Sequence, residues 1–480
     1  MKYLIWILAV LLPFHAFMVT VLKCKFWLDT NYLRFWKEFI IIILLTATFV
    51  KVMNENKLSL KKIYENNYIL WTITAFVISS LIFIYFPFFE IKASAFLWFR
   101  YDVFFLFALV IGLYLKDGTK YLHLYLKLIF WSTILILAIF LPWYLFGDIS
   151  ALASMFGYSA EVSTYNANSC ISFAQNVNGQ HRFQGTFGWP IRFSVFLTVF
   201  YLVYVGFILD VMHLSEKRIK KESKSELLKQ INFVKVKIKE KSIIPKSVSI
   251  SDLISLLGIP SLFVITAIFF SYSKTSVLGL AFGIVLFIYM VWTVKLKNKI
   301  WKKFIWVVAW IFITPIALVA IFKADLFLHL GAVLNRLENL TKSVEMFFYN
   351  PIWYGLGIAG PASQIGNSIE SAGNWQIATS TATTTHRFLP ENWYVQILLE
   401  QGFIGFCIFV SVILIIWVRL YGIAKVKRDY LSISIFTAYI TLCFMANFTH
   451  AFEEAATSYT LFLIIWIVIG ANGIKKLNTK

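Results

Sequence analysis

Apolar residues run along this chain in long blocks, and polar or basic residues gather in the gaps between them. A helix crossing the hydrocarbon core of a bilayer needs about 20 mainly apolar residues, and in lipid it must satisfy its own backbone hydrogen bonds. Twelve blocks come close enough to that length to be predicted spans: 3–22, 36–52, 67–87, 96–115, 122–145, 187–211, 252–271, 276–295, 304–322, 402–420, 430–447 and 457–474. The pattern predicts an all-α, polytopic membrane protein of about 12 transmembrane helices, with 1–480 forming a single membrane domain. The first block follows one Lys and shows no small-residue cleavage pattern, so it reads as a retained anchor rather than a cleaved signal peptide.

Composition agrees with this reading. Of 480 residues, 59% are hydrophobic and only 14% charged, against roughly 25% charged in ordinary soluble domains. The net charge of +20 does not point to nucleic acid, because Lys and Arg lie between apolar blocks rather than on one soluble face. In membrane proteins such residues mark the cytoplasmic loops. With the N-terminus inside, the basic stretches "KVMNENKLSLKK", 217–246, "KLKNKIWKK", "KVKR" and "KKLNTK" all fall on the inner side. The outer loops are poorer in Lys and Arg, except 23–35 with Lys23, Lys25 and Arg34. Both termini are therefore expected in the cytoplasm. The inner loop 212–250 reads as a solvated, partly helical connector on an anionic leaflet. Cys407 and Cys443 lie within apolar blocks as small packing residues. Cys24 and Cys170 can share the outer side, although two distant cysteines are weak evidence for a disulfide.

Two outer segments are large enough to hold a site: 146–186 and the large, partly helical loop 323–401. In the second, Val333, Leu337, Leu340, Val344 and Phe347/Phe348 recur at spacings of three and four, which predicts an amphipathic helix. Asn350-Pro351 should end it, since Pro disfavours helical geometry in the residue before it. "YGLGIAGPASQIGNS" then reads as an irregular loop.

Ionisable groups collect at the predicted outer boundary in four places: His181-Arg182 with Arg192, Lys274 in "SYSKTS", Arg336 on the amphipathic helix, and "HRFLPEN" with His386, Arg387, Glu391 and Asn392. Each has a plainer role when taken alone. Lys274 can snorkel, Arg182 and Arg192 can anchor headgroups, and Glu391 can favour the positive end of a helix dipole. Taken together, cations from separate loops on one face suit a membrane-borne polyanion, whose phosphate oxygens guanidinium groups bind through paired, charge-assisted hydrogen bonds. A prenyl pyrophosphate carrying a sugar is such a ligand, and His or Glu can serve as general base toward an acceptor hydroxyl.

Four stretches in this order resemble the O-antigen ligase/polymerase superfamily of bacterial membrane glycosyltransferases: "RFQGTFGWP", "SYSKTSVLGLAFG", "RLENLTKSVEMFFYNPIWYGLGIAG" and "ENWYVQILLEQGFIGFCIF". The resemblance covers most of the chain. It implies transfer of an oligosaccharide from undecaprenyl pyrophosphate to lipid A-core or a growing glycan on the periplasmic face of the bacterial inner membrane. It also implies inversion at the anomeric centre, with no metal and no cofactor. Arg182 matches the family's first phosphate-binding arginine. Lys274 sits at a second basic position where arginine is more common, keeping the charge but not the planar fork. Arg336 is the third cation assigned to the pyrophosphate. The ligases place His directly before Asn at the loop exit; here Glu391 stands there and His386 lies five residues earlier. Either can be the catalytic base, and the missing His-Asn pair favours a polymerase over a ligase. Glu400-Gln401-Gly402 matches the family too, with Gly402 and Gly405 expected to allow close helix packing and Glu400 given no catalytic role.

The competing reading is a transporter or lipid-carrier flippase. Such proteins carry internal repeats and charged or broken helices near the bilayer midplane. The polar groups here collect in outer loops instead, which favours chemistry at the interface.

Overall fold

A computed structural model describes residues 2–28, 33–55, 68–85, 99–113, 118–147, 155–158, 176–177, 180–231, 257–295, 330–349, 356, 359, 392–452 and 454–473. Its helices are α1 Lys2–Leu11, α2 His15–Thr20, α3 Trp36–Glu55, α4 Tyr68–Tyr85, α5 Phe105–Leu113, α6 Gly118–Phe146 and α7 Pro190–Ile231. They continue with α8 Ile259–Phe270, α9 Lys274–Met290, α10 Leu330–Tyr349, α11 Trp393–Lys427, α12 Tyr430–Met445 and α13 Ala455–Gly473. Among the described residues, the expected all-α fold is broken by a two-residue antiparallel pair, β1 Asn176–Val177 with β2 Gln180–His181, and by an isolated bridge residue, Ala359.

Among the described residues, five helical stretches are long and apolar enough to cross a membrane: Tyr3–Lys25, Tyr121–Phe146, Pro190–His213, Lys274–Val294 and Trp393–Lys427. Four shorter apolar helices accompany them: Tyr68–Ile84, Ile259–Phe270, Tyr430–Met445 and Ala455–Ala471. This supports a multi-helix membrane protein, but not a count of about twelve spans. Two predicted spans are interrupted. A 3-10 turn at Leu12–Phe14, with Pro13 inside it, separates α1 from α2, as expected where Pro withholds a helical N–H. The block 96–115 divides into a π-turn, Phe99–Val103, and α5. The predicted span 304–322 lies outside the described residues.

Large apolar side chains on the lipid-facing flanks stay exposed, including Trp131 on α6, Leu262 on α8, and Ile404 and Val418 on α11. The interior is aromatic, with Trp393, Trp466, Tyr125, Tyr439, Phe183 and Phe193 fully buried. α7 packs closely on α12, and α5 on α13. A Cβ at Gly206 on α7 would lie 2.2 Å from the Ser434 Cβ on α12, so only glycine permits that crossing. Gly112 on α5 does the same against the Trp466 Cβ of α13, at 2.6 Å.

The helix ends sort into two groups. At one end the Trp393 N–H donates to the Ala446 carbonyl at 3.0 Å, Thr186 donates to Pro13 at 2.6 Å, and Arg192 lies 3.6 Å from Glu454. At the other end the Tyr430 N–H donates to Asp210 at 3.3 Å beside Lys425 and Lys427, and Arg428 ends α11 in the left-handed conformation. Cys24 is disulfide-bonded, whereas Cys407 and Cys443 are free thiols. Disulfides persist in oxidising compartments, so the bond fits an outward-facing 23–28 stretch.

Candidate functional site

The stretch after β2 lies against the turn that joins α8 to α9. The Tyr144 hydroxyl at the end of α6 donates to the His181 carbonyl at 2.6 Å. Arg182 Nε donates to the Ser271 carbonyl at 2.8 Å, and the Phe183 N–H donates to Phe270, also at 2.8 Å. Burial of Phe183, Gln184 and Thr186 behind these bonds anchors the stretch in the body of the protein. The turn reverses direction at Tyr272, whose φ is 49°. Burial is the main influence raising the Tyr272 hydroxyl above its ordinary pKa.

Ser273 then caps α9 by accepting the Ser276 N–H at 3.3 Å, the standard use of a serine before a helix. Ser276 continues to Ser194 on α7, with 2.7 Å between the hydroxyl oxygens. Lys274 is the first residue of α9, and its ammonium nitrogen is buried. Arg182 and Lys274 are thus brought to a single five-residue turn, Phe270 to Lys274, from separate loops.

The other predicted residues are not joined to that pair. Arg336 lies on α10, whose backbone is described while the Arg336 side chain is not. α10 ends at Tyr349, directly before Asn350-Pro351 as expected. It packs against α11, with Ser343 fully buried, but Val344 and Phe348 of the predicted apolar stripe stay exposed. His386 and Glu391 lie outside the described residues. The side chain that caps α11 is Asn392, whose Oδ1 accepts the Val395 N–H at 3.1 Å.

Two buried polar clusters were not singled out from the sequence. In the first, Asp102 of the π-turn accepts from Trp393 Nε1 and, at 3.4 Å, from Gln396 Nε2. Gln396 Nε2 also donates to Glu400 at 3.2 Å, and Glu400 accepts the Ala359 N–H at 3.0 Å. Asp102, Gln396 and Glu400 are all fully buried. In the second, Glu38 is held by Arg100 Nε at 2.6 Å and by Lys37 at 3.4 Å. Arg100 also donates to the Arg34 carbonyl at 2.7 Å and lies 4.3 Å from the Phe35 ring centre. Lys37 reaches His15 at 2.9 Å. A buried charge is tolerable only with such partners. The available signal was a set of charged residues inside or at the start of apolar blocks, namely Lys37, Glu38, Arg100, Asp102 and Glu400.

α11 is interrupted. Gly402 has φ 64° and ψ −170°, which divides a short first piece carrying Trp393, Gln396 and Glu400 from the long apolar helix that follows. The predicted start of that span at 402 coincides with the break. Gly402 therefore serves backbone conformation, since few other residues adopt that φ. The close neighbour of Gly405 is in its own helix: a Cβ there would lie 2.3 Å from the Gln401 Cβ, and Gln401 in turn reaches Ser80 of α4 at 3.2 Å.

No curated protein matches the chain. Residues 259–410 match the sequence model of the O-antigen ligase family, a region that runs from α8 into α11 and includes Lys274, Arg336, Ala359, His386, Glu391 and Glu400. With the membrane-grade helices and the order of motifs around them, this match supports the resemblance of the chain to the O-antigen ligase/polymerase superfamily.

Proposed function

We propose that this protein transfers an oligosaccharide from undecaprenyl pyrophosphate to a growing glycan, as a surface-polysaccharide polymerase of the bacterial inner membrane, with both termini cytoplasmic. The observation that carries this reading is the meeting of Arg182 and Lys274 at one turn. Their charge, with that of Arg336, binds the pyrophosphate and stabilises the negative charge that develops on it as it leaves. That electrostatic role needs neither metal nor cofactor.

The acceptor hydroxyl loses its proton to Glu391 or His386 and attacks the anomeric carbon on the face opposite the pyrophosphate. A glycosidic C–O bond forms, the sugar–phosphate C–O bond breaks, and undecaprenyl pyrophosphate departs with inverted configuration at the sugar. Glu391 stands where the ligases carry histidine, and this difference favours chain growth over transfer to lipid A-core.

The test is purified protein with a pyrophosphate-linked oligosaccharide in the presence of chelator. Release of undecaprenyl pyrophosphate with lengthening of the glycan is expected. Transfer to lipid A-core alone would make it a ligase, and loss of turnover with chelator would overturn the metal-free mechanism. Carrier movement across liposomes without any transfer would overturn the transferase reading.

A further inference from the structure

Glu400 lies in the second turn of α11, fully buried, and its two carboxylate oxygens serve different parts of the chain. Oε1 accepts the backbone N–H of Ala359 at 3.0 Å, and Oε2 accepts from Gln396 Nε2 at 3.2 Å. Gln396 Nε2 carries two protons and directs the second toward Asp102 Oδ2 at 3.4 Å. Asp102 Oδ1 in turn receives Trp393 Nε1, and the Trp393 N–H is tied to Ala446 at 3.0 Å. The π-turn Phe99–Val103, the first two turns of α11, the start of the turn after α12, and Ala359 of "YGLGIAG" are thereby one hydrogen-bonded unit.

Ala359 and Asn392 bound the stretch of sequence that contains His386 and Glu391. Seven residues separate Trp393 from Glu400, or about 10 Å along a helix axis. Burial keeps Glu400 from meeting an acceptor hydroxyl arriving from water, so it does not act on the reacting atoms. A carboxylate holding a backbone N–H makes a charge-assisted bond, stronger than a neutral side chain would make.

We infer that Glu400 is a positioning residue, which fixes Ala359 to the head of α11 through the Ala359 amide. This rests on the transferase reading. Its role is to hold both ends of the base-bearing stretch in register with the membrane body, so its loss lowers turnover more than donor binding. Misplacement by about 1 Å is enough to cost on the order of 10²-fold in rate.

The test uses the full-length protein with a pyrophosphate-linked oligosaccharide, and combines steady-state kinetics with hydrogen exchange of the peptide that contains Ala359. In wild type that amide should be protected. E400A should lower kcat by about 10²-fold, leave KM for the donor within about threefold, and release the Ala359 protection. E400Q keeps an oxygen acceptor for Ala359 but sets one amide NH2 against that of Gln396. It should retain the protection and lose no more than about tenfold in kcat. Wild-type kcat in a folded E400A overturns the inference, and so does reduced kcat with the Ala359 protection unchanged. If E400A does not fold, an unprotected Ala359 amide in wild type or in E400Q overturns it. If wild type itself turns over no lipid-linked sugar, the transferase reading fails, while the exchange measurements still decide whether Glu400 holds Ala359.

Discussion

Arg182 and Ser271, 89 residues apart in sequence, are joined by a 2.8 Å hydrogen bond from the guanidinium Nε to the backbone carbonyl. The bond uses one edge of the guanidinium and orients the rest of the group beside the turn that begins α9. Arg182→Ala removes both the charge and this orientation. We expect kcat/KM for the lipid-linked donor to fall by about 10²–10³-fold, the size of effect seen when one transition-state donor is lost. The lost hydrogen bond should also cost about 1.5–3 kcal/mol of stability, read from thermal unfolding in detergent. Lys274→Ala should reduce turnover similarly, whereas Lys274→Arg keeps the charge and should retain activity. Full activity in Arg182→Ala would remove Arg182 from the phosphate site.

Glu391 and His386 compete for the role of base, and a paired comparison separates them. Glu391→Gln keeps size and polarity but cannot take a proton, and His386→Ala removes the ring. One of the two should abolish transfer and leave donor binding within a few-fold, measured by titration with the pyrophosphate-linked sugar. If both variants turn over at the wild-type rate, the base is another group.

What the sequence made legible follows from how local each signal is. Apolar blocks announced most of the described helices, and Asn350-Pro351 marked the end of α10, because span length and proline geometry depend on neighbouring residues alone. The convergence of Arg182 and Lys274 was legible as well, since alternating spans send both to the same side. The bond between Asp102 and Trp393 was not, because it joins residues 291 positions apart and nothing near either one names the other. Cys24 is similar: its loop context made a disulfide possible, and only the folded chain settles it. The Gly402 break was visible as a boundary in hydropathy, but its backbone conformation was not.

Gly402 carries a prediction of its own. Its φ of 64° with ψ of −170° is a conformation that side-chain-bearing residues adopt only under strain. Gly402→Ala should therefore cost about 1–3 kcal/mol, seen as a lower unfolding temperature. The strain falls between the buried polar piece of α11 and its apolar continuation, so turnover should drop along with stability. Gly402→Ala with unchanged stability would mean that the break relaxes into continuous helix at no cost.

The Arg100–Glu38 pair, at 2.6 Å with both side chains almost wholly buried, should behave as a unit. Arg100→Met leaves Glu38 buried with the more distant Lys37 at 3.4 Å, and should destabilise by about 3–5 kcal/mol. The double variant Arg100→Met with Glu38→Leu removes both charges and should recover most of that loss. A double-mutant cycle on unfolding temperature checks it. Additive losses, with no recovery, would show that the two side chains act independently.

Stability should also respond to acid through His450, in the turn between α12 and α13. Both ring nitrogens are buried. Burial first, and then the nearby Arg192 guanidinium, push its pKa from 6.5 down to about 3. An unfolded chain takes up a proton on this ring as pH falls through about 6.5, and the folded protein holds it off until about 3. The unfolded state therefore binds more protons across that window. The stability contributed by the neutral ring is complete above pH 6.5 and is lost progressively as pH falls toward 3, at up to about 1.4 kcal/mol per pH unit. Unfolding temperatures of wild type and His450→Gln, measured from pH 7.5 down to about 4, should diverge: the wild-type curve falls more steeply below 6.5, and the variant's is flatter. Parallel curves would assign the acid sensitivity to other groups and leave His450 with no part in it.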